Sequence, residues 1–282
     1  MNIPRYWARA AISVTIPSDT EPFATEAFGH SETSVADAEK DARQRAMRVA
    51  AWYDGLARDA DIELTRRYGY GDNRPLRERI EREFGSGPER YAAVTRNAYG
   101  SLVLNCASVC FIDVDLAPQP GRFARLFGKR VPDAEAVLAS MRAAADAARV
   151  GIRIYRTKAG FRGLITSELV DPASRRSDDL MERFGSDPKY RALCRVQRCF
   201  RARLTPKPWR CGLPGPAWPW PFRSPEHEAA FKAWLRSYEE AARGFATCEL
   251  VEARGPAGQH PLAATIVREH DAMACQSGCP LA

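Results

Sequence analysis

The sequence predicts an α+β protein: a mixed β-sheet with helices packed on one face, preceded by an N-terminal α/β extension. Two observations carry this prediction. Short strand-like runs alternate with helix-like segments in the middle of the chain, an order typical of sheets covered by helices. The 282 residues are also 45% apolar and 27% charged, which is enough to bury a sizeable core and excludes global disorder.

The N-terminal extension, residues 1–90, is predicted to hold strands and two helices. Apolar side chains alternate with polar neighbours at three early positions, Ile12, Val14 and Ile16. This period-2 pattern predicts one or two strands at the start of the chain. Ser34 is typical of a helix N-cap, and the predicted helix after it runs over 35–60, with acids early and arginines later. A short charged helix is predicted over 76–84.

The core, residues 91–254, has the clearest pattern. Three strand-like runs open it, over 91–96, 101–106 and 109–116. A helix over 133–149 follows, since acids lie early in this segment and arginines later. Strands over 152–157 and 161–166 then form a hairpin around a tight turn that contains a glycine. This strand–helix–hairpin order predicts a sheet with a crossover helix.

The second half of the core is predicted to be mainly helical. Its three helices cover residues 178–184, 188–200 and 226–243. Residues 205–222 are rich in Pro, Trp and Gly, which predicts an irregular, aromatic-anchored segment. A final strand over 246–253 closes the core, and residues 255–282 are predicted to form a loose C-terminal tail.

The overall charge is moderately basic, with 42 Lys and Arg against 35 Asp and Glu, a net charge of +7. This excess permits an anionic partner such as nucleic acid. No apolar run approaches the roughly 18–20 residues that a membrane helix needs, so no membrane partner is expected. The first residues lack the pattern of an export signal, which favours a cytoplasmic protein.

Eight cysteines occur at irregular spacings, which favours reduced thiols over a disulfide framework. His270, Cys275 and Cys279 lie close together near the C-terminus. Three such ligands would hold zinc if a fourth came from elsewhere. The alternative is a mobile tail with incidental thiols.

Two carboxylates, Asp113 and Asp115, follow the apolar run 109–112. Side chains two residues apart on a strand point to the same face, so these carboxylates, here called the acidic pair, form a predicted seat for Mg²⁺ or Mn²⁺. The alternative is that they mark only the polar exit of the strand into a loop.

Two basic segments are candidates for binding phosphate. The first is the hairpin turn with Arg156, Lys158 and Arg162 around Gly160. The second, here called the basic run, holds eight cations with no carboxylate between them: Lys189, Arg191, Arg195, Arg198, Arg201, Arg203, Lys207 and Arg210. Phe200 and Trp209 interleave with them, as in proteins that stack on nucleic-acid bases. Alternatively, several of these arginines pair with acids elsewhere in the fold.

Other catalytic patterns are missing from the sequence. It contains four histidines and no GxSxG, GxxxxGK[ST] or GxGxxG motif. These absences argue against a serine hydrolase, a P-loop ATPase and a Rossmann dehydrogenase.

The order of strand with DxD, connector, helix, strand, basic glycine hairpin and strand over residues 91–254 resembles the catalytic palm of the archaeo-eukaryotic primase–polymerase superfamily, which has an RRM-like core. The resemblance implies that the acidic pair holds metal. It also implies a third carboxylate on a later strand, for which Glu249 or Glu252 is the nearest match. Arg162 stands where the family carries a histidine, so it would hold a triphosphate but would not act as a base. Separately, the segment from Phe200 to Trp209 resembles one in an uncharacterised bacterial family, and this second resemblance gives no indication of an activity.

We therefore expect a nucleic-acid or nucleotide-binding protein with a primase-like palm and weak or lost catalysis. The alternatives are a metal-dependent nucleotidyltransferase and a protein-interaction scaffold. The expected catalytic residues are Asp113, Asp115 and Glu249, with the first two as metal ligands. The expected substrate-binding residues are Lys158, Arg162, Arg195, Arg198, Arg201, Arg203 and Lys207.

Overall fold

The structure is a computed structural model that describes residues 1–14, 23–53, 75–85, 87–116, 133–256 and 258–282. The predicted alternation at Ile16 and the end of the predicted helix over 35–60 lie outside these residues. The described strands are β1 (Tyr6–Val14), β2 (Phe23–Ser31), β3 (Arg79–Phe84), β4 (Ala92–Arg96), β5 (Leu102–Cys106), β6 (Phe111–Asp115), β7 (Ile152–Thr157), β8 (Gly160–Ile165), β9 (Phe200–Arg203) and β10 (Cys248–Arg254). The described helices are α1 (Val35–Tyr53), α2 (Ala134–Ala148), α3 (Arg175–Arg183), α4 (Pro188–Gln197), α5 (Pro225–Ala242) and α6 (Pro261–Ala274). The predicted α+β class is confirmed.

The strands form three sheets, with orders β1-β2, β3-β4-β5-β9 and β10-β7-β8-β6. Every strand pair in them is antiparallel, so the prediction of a mixed sheet is wrong. The reason is the position of β8. The helix α2 connects β6 to β7, and β8 lies between these two strands in the sheet. The two strands joined by the crossover helix therefore never pair with each other.

The N-terminal hairpin carries α1 on one face. The helix begins after Ser34, whose hydroxyl accepts a hydrogen bond from the Asp37 backbone N–H at 3.1 Å. Its contact face consists of the fully buried alanines Ala38, Ala42 and Ala46. A Cβ at Gly29 on β2 would lie 2.1 Å from the Ala42 nitrogen, so glycine and alanine together permit this close approach.

The segment predicted as a short charged helix over 76–84 contains β3 instead, which pairs with β4 from Arg79↔Arg96 to Phe84↔Ala92. All five residues of β4 are buried, whereas β3 is largely exposed at the edge of its sheet. Pairing with a buried neighbour therefore overrides the local preference of a charged sequence.

Helices cover both faces of the sheet β10-β7-β8-β6, not one face as predicted. On one face, a Cβ at Gly163 would lie 3.6 Å from the Met141 side chain of α2. On the other face, the ring of His270 in α6 lies 4.8 Å from Tyr155 and 5.6 Å from Phe111. The sheet is therefore a central layer between two helices.

The predicted loose tail over 255–282 is also wrong, because it contains α6. This helix begins after His260, whose ring accepts a hydrogen bond from the Leu262 N–H at 3.1 Å. Its inner face is buried at Ala263, Ile266, Val267, His270 and Ala274. The C-terminal Ala282 is also buried, and its N–H donates to the Ala246 carbonyl at 2.9 Å. The segment belongs to the core because its apolar residues recur at helical spacing.

The two four-stranded sheets share one hydrophobic core. β9, from the basic run, lies close to β6, and the Arg162 Nη1 of β8 donates to the Arg203 carbonyl of β9 at 3.0 Å. The junction between the sheets therefore brings the basic run to the strand that carries the acidic pair. None of the described helices combines the length and apolarity that crossing a membrane requires.

Candidate phosphate and metal site

The acidic pair lies on β6, where Asp113 is paired with Arg162 of β8 and Asp115 with Gly160. Directly opposite residues on antiparallel strands share a face. Both carboxylates are therefore on one side of the sheet, as predicted, and Arg162 is on the same side. Asp115 is exposed and Asp113 is partly buried. β6 forms the edge of its sheet.

Glycine at position 160 permits this close pairing of β8 with β6. A Cβ there would lie 1.9 Å from the Val114 carbonyl oxygen and 3.0 Å from the Asp115 Cα. Both are backbone atoms of β6, so they have little freedom to move aside. The small residue therefore sets the spacing of the strands at the acidic pair.

Burial raises the pKa of Asp113 above its usual range, although the Arg162 guanidinium opposes the shift. The neighbouring carboxylates of Asp115 and Asp187 raise the pKa further. Asp187 is the N-cap of α4, and its backbone N–H donates to the Asp113 carbonyl at 2.9 Å. It is therefore a third acid near the pair, which the sequence analysis missed because only the tertiary fold brings it to β6.

The third acid expected from the family resemblance does not join the pair. Glu249 of β10 is paired with Arg156, which is paired with Phe161, which is paired with Val114. This register places Glu249 on the opposite face of the sheet and at its far edge. Glu252 has the same orientation, and its carboxylate accepts from Arg142 of α2 at 2.9 Å.

Arg203, Lys207 and Arg210 are here called the basic cluster; they lie near one another, and Arg203 and Lys207 are within electrostatic range of the acidic pair. Burial lowers the pKa of Arg203 to about 10, and the like charge of Arg162 lowers it further while Asp113 opposes. Burial also lowers the pKa of Lys207, with added repulsion from Arg203 and Arg210. Within the described ranges, no carboxylate oxygen lies within ion-pair distance of any of these three side chains. Together they form a positively charged, partly desolvated surface.

The rest of the basic run has other roles. Arg201 forms a buried ion pair with Glu78 at 2.6 Å, which contradicts its assignment as a substrate-binding residue. Arg191 pairs with Asp178 at 2.9 Å, and Arg198 with Asp171 at 3.8 Å. Internal pairing, the alternative considered above, therefore holds for these three arginines. Lys189 and Arg195 are exposed on α4.

The two aromatic residues of the run differ in exposure. Phe200 is fully buried and cannot stack on a base. Trp209 is 52% exposed, with its ring centroid 5.2 Å from that of Tyr99 in an edge-to-face contact. The Lys207 Nζ lies over the Trp209 ring at 5.4 Å, so the exposed ring adjoins the basic cluster.

The hairpin cations are separated by the fold. Arg162 is buried, and its Nη1 donates to the Arg203 carbonyl at 3.0 Å and to His270 Nε2 at 2.9 Å. Arg162, which was predicted to bind a triphosphate, therefore already donates to acceptors within the protein. Arg156 donates to the Gly160 carbonyl at 2.8 Å and lies on the other face of the sheet. Lys158 is exposed at the turn.

The site therefore combines two carboxylates with adjacent basic side chains. The carboxylate oxygens suit a hard divalent cation, and the basic side chains have no ion-pair partner among the described residues. This combination suits a ligand that carries both a metal ion and phosphate groups. Comparisons of the chain with models of protein families, with curated proteins and with solved structures find no match.

Proposed function

We propose that the protein binds a nucleotide or nucleic acid by its phosphates at the basic cluster, with a divalent cation at the acidic pair. The observation that carries this proposal is the guanidinium of Arg203. It is partly buried, and among the described residues no carboxylate lies within ion-pair distance of it. A partly desolvated charge without an ion-pair partner costs free energy, which a bound phosphate would offset.

Three features support the choice of ligand. Asp113 and Asp115 offer hard oxygen ligands of the kind that Mg²⁺ and Mn²⁺ prefer. Lys207 and Arg210 extend the positive surface, and Trp209 offers an exposed ring on which a base can stack. The strand–helix–hairpin order of β6, α2, β7 and β8 is the part of the fold on which the resemblance to primase-like palms rests.

Weak or lost catalysis follows from the groups around the acidic pair. Arg162 replaces the histidine of the resembled family and is tied to the Arg203 carbonyl and to His270. A guanidinium stays protonated at neutral pH, so it does not act as a general base. The proposed primary role is therefore binding rather than turnover.

The test is a titration of purified protein with a nucleoside triphosphate, a single-stranded DNA and a single-stranded RNA, each with Mg²⁺ and at several salt concentrations. The double variant Lys207→Gln/Arg210→Gln is expected to weaken binding and to flatten the log–log salt slope by about one to two units. The matched control Lys189→Gln/Arg195→Gln removes the same charge from the same basic run outside the cluster. It is expected to change both quantities less.

The proposal fails if wild-type protein binds none of the three ligands at low salt. It also fails if the two double variants weaken binding equally, since the cluster would then contribute only general charge. Tight binding of the triphosphate alone would identify a nucleotide site, and tight binding of the polymers alone a nucleic-acid surface.

Asp187 favours nucleotidyl transfer as a second candidate function. Three carboxylates around one strand end are sufficient to hold two metal ions, which is the arrangement used to transfer nucleotidyl groups. The test is extension of a labelled primer with Mn²⁺ and all nucleotides. Asp113→Asn/Asp115→Asn and Asp187→Asn should each abolish extension, while Glu249→Gln should leave it unchanged. An inactive wild-type protein would exclude this candidate.

A further inference from the structure

A second group of potential metal ligands lies beyond Arg162, on the side of α6. Cys248 begins β10, His270 is in α6, and Cys275 follows that helix. The two Sγ atoms are 3.6 Å apart, and the Cys248 Sγ is 3.8 Å from His270 Nε2. All three potential ligand atoms lie within 4.8 Å of one another. We call these three residues the thiol cluster.

The His270 ring is held in one orientation by its other nitrogen. Its Nδ1 lies 2.8 Å from Asp271 Oδ1, and Asp271 also accepts from the Tyr155 hydroxyl and from Arg153, each at 2.8 Å. Because a carboxylate accepts the Nδ1 proton, the Nε2 lone pair points toward the cysteines. A carboxylate behind a ligating histidine is the usual support of a metal-bound imidazole.

The cysteines differ in their readiness to ionise. The Cys275 thiol donates to Cys248 and lowers the pKa of the Cys248 thiol, which His270 and the Arg162 guanidinium lower further against the effect of burial. The same contact raises the pKa of Cys275. The contact therefore favours ionisation of Cys248 before that of Cys275, and a metal ion that took both sulfurs would bind them as thiolates.

We propose that Cys248, His270 and Cys275 form a binding site for a thiophilic divalent cation, with zinc as the preferred metal. Zinc lies about 2.3 Å from thiolate sulfur in tetrahedral sites, which separates two sulfur ligands by about 3.8 Å. The distance of 3.6 Å between the two Sγ atoms agrees with that spacing. Cys248 and His270 are fully buried, so the site is shielded from water on most sides.

Arg162 links this site to the acidic pair. Its Nη1 donates to the His270 Nε2 lone pair that a metal ion would take, and it also donates to the Arg203 carbonyl. Metal binding would therefore release Arg162 from His270 while the second acceptor remains. Since Arg162 faces Asp113 across the strand pair, occupancy of the thiol cluster is expected to change the charge balance at the phosphate site.

The test is a Co²⁺ titration of reduced, chelator-treated protein, followed by absorption spectroscopy. The expected result is one equivalent of Co²⁺ with thiolate-to-cobalt charge-transfer bands and the intense ligand-field bands of tetrahedral cobalt, both lost on adding Zn²⁺. Cys248→Ser and Cys275→Ser should each remove or strongly weaken the charge-transfer bands. The matched control Cys279→Ser changes a nearby cysteine outside the cluster and should preserve them.

Two further measurements keep the outcome decisive. Zn²⁺ should raise the melting temperature of wild-type protein, which does not depend on whether a serine variant folds. Asp113→Asn/Asp115→Asn should retain the cobalt bands, so that failure of the phosphate site and failure of the thiol cluster are distinguishable. The proposal is overturned if wild-type protein gives no charge-transfer bands, if they survive in both serine variants, or if Cys248 and Cys275 remain joined as a disulfide after treatment with a reductant.

Discussion

Removing the charge of Glu78 should lower the free energy of unfolding of the protein without weakening the binding of phosphate or metal at the proposed site. The Glu78 carboxylate and the Arg201 guanidinium are 9% and 11% exposed, and their closest atoms are 2.6 Å apart. The other Glu78 oxygen accepts from the Thr95 hydroxyl at 2.5 Å, and Arg201 also donates to Gln197 at 2.9 Å. Burial would lower the pKa of Arg201, yet Glu78 holds it above the ordinary value. The guanidinium is therefore charged and depends on this single carboxylate.

The isosteric variant Glu78→Gln preserves the shape of the side chain and leaves the Arg201 charge buried without a counter-ion. Breaking a buried ion pair from one side costs about 3–5 kcal/mol. For a chain of this size, that loss corresponds to a fall in melting temperature of about 6–20 °C. Replacing both partners, as Glu78→Leu/Arg201→Met, should recover most of the loss, because neither charge then remains buried.

Urea denaturation followed by circular dichroism measures the change, with Glu182→Gln as the matched control. Glu182 pairs with Arg191 at 3.4 Å but is 68% exposed, so its loss should cost about 1 kcal/mol or less. The reasoning is refuted if Glu78→Gln unfolds within about 1 kcal/mol of wild type. It is equally refuted if the double variant is less stable than Glu78→Gln.

Three other perturbations test the surroundings of the acidic pair. Gly160→Ala should destabilise the protein by about 1–3 kcal/mol and weaken Mn²⁺ binding, because the new Cβ would meet the Val114 carbonyl, whereas Gly215→Ala has open space and should be nearly neutral. Burial raises the pKa of Asp113 in the folded state. The ionised carboxylate therefore lowers the free energy of unfolding at pH values above that folded-state pKa, and this loss disappears below the unfolded-state value near 3.8. Asp113→Asn should therefore raise the free energy of unfolding at neutral pH, with a gain that shrinks as the pH falls toward about 4; a gain that grows in acid would contradict this sign. Trp209→Ala should weaken single-stranded nucleic-acid binding by about 1–3 kcal/mol with little loss of stability, and equal binding by the variant would exclude stacking on this ring.

The parts of the site that are close in sequence could be predicted from it. Asp113 and Asp115 share a face because strand side chains alternate. Arg162 faces them because the crossover helix α2 and the hairpin β7-β8 bring β8 beside β6. Both deductions require only local periodicity and the usual rules for connections between strands.

The remaining parts depend on contacts between distant segments. Asp187 joins the acidic pair only because the backbone between α3 and α4 bonds to β6. Glu249 was placed wrongly, because its side of β10 depends on the register with β7, which includes a bulge. The pairing of Arg201 with Glu78 spans 123 positions. No local pattern distinguishes this arginine from Arg203, which has no ion-pair partner in the part of the chain that the structure describes. Charge alone therefore overstated how much of the basic run is available to a ligand.

The position of β6 at the edge of its sheet has a consequence for solubility. Its outer edge is covered by Ser186, whose hydroxyl lies 3.3 Å from the Asp113 N–H, and by the Asp187 N–H, which bonds to the Asp113 carbonyl. If this cover opened locally, an apolar strand edge would become available for pairing with another copy of the chain. The two negative charges on alternate positions would then repel a second identical strand and act as gatekeepers against aggregation. Variants that neutralise both aspartates should therefore be checked for self-association before any loss of binding is assigned to the missing metal ligands.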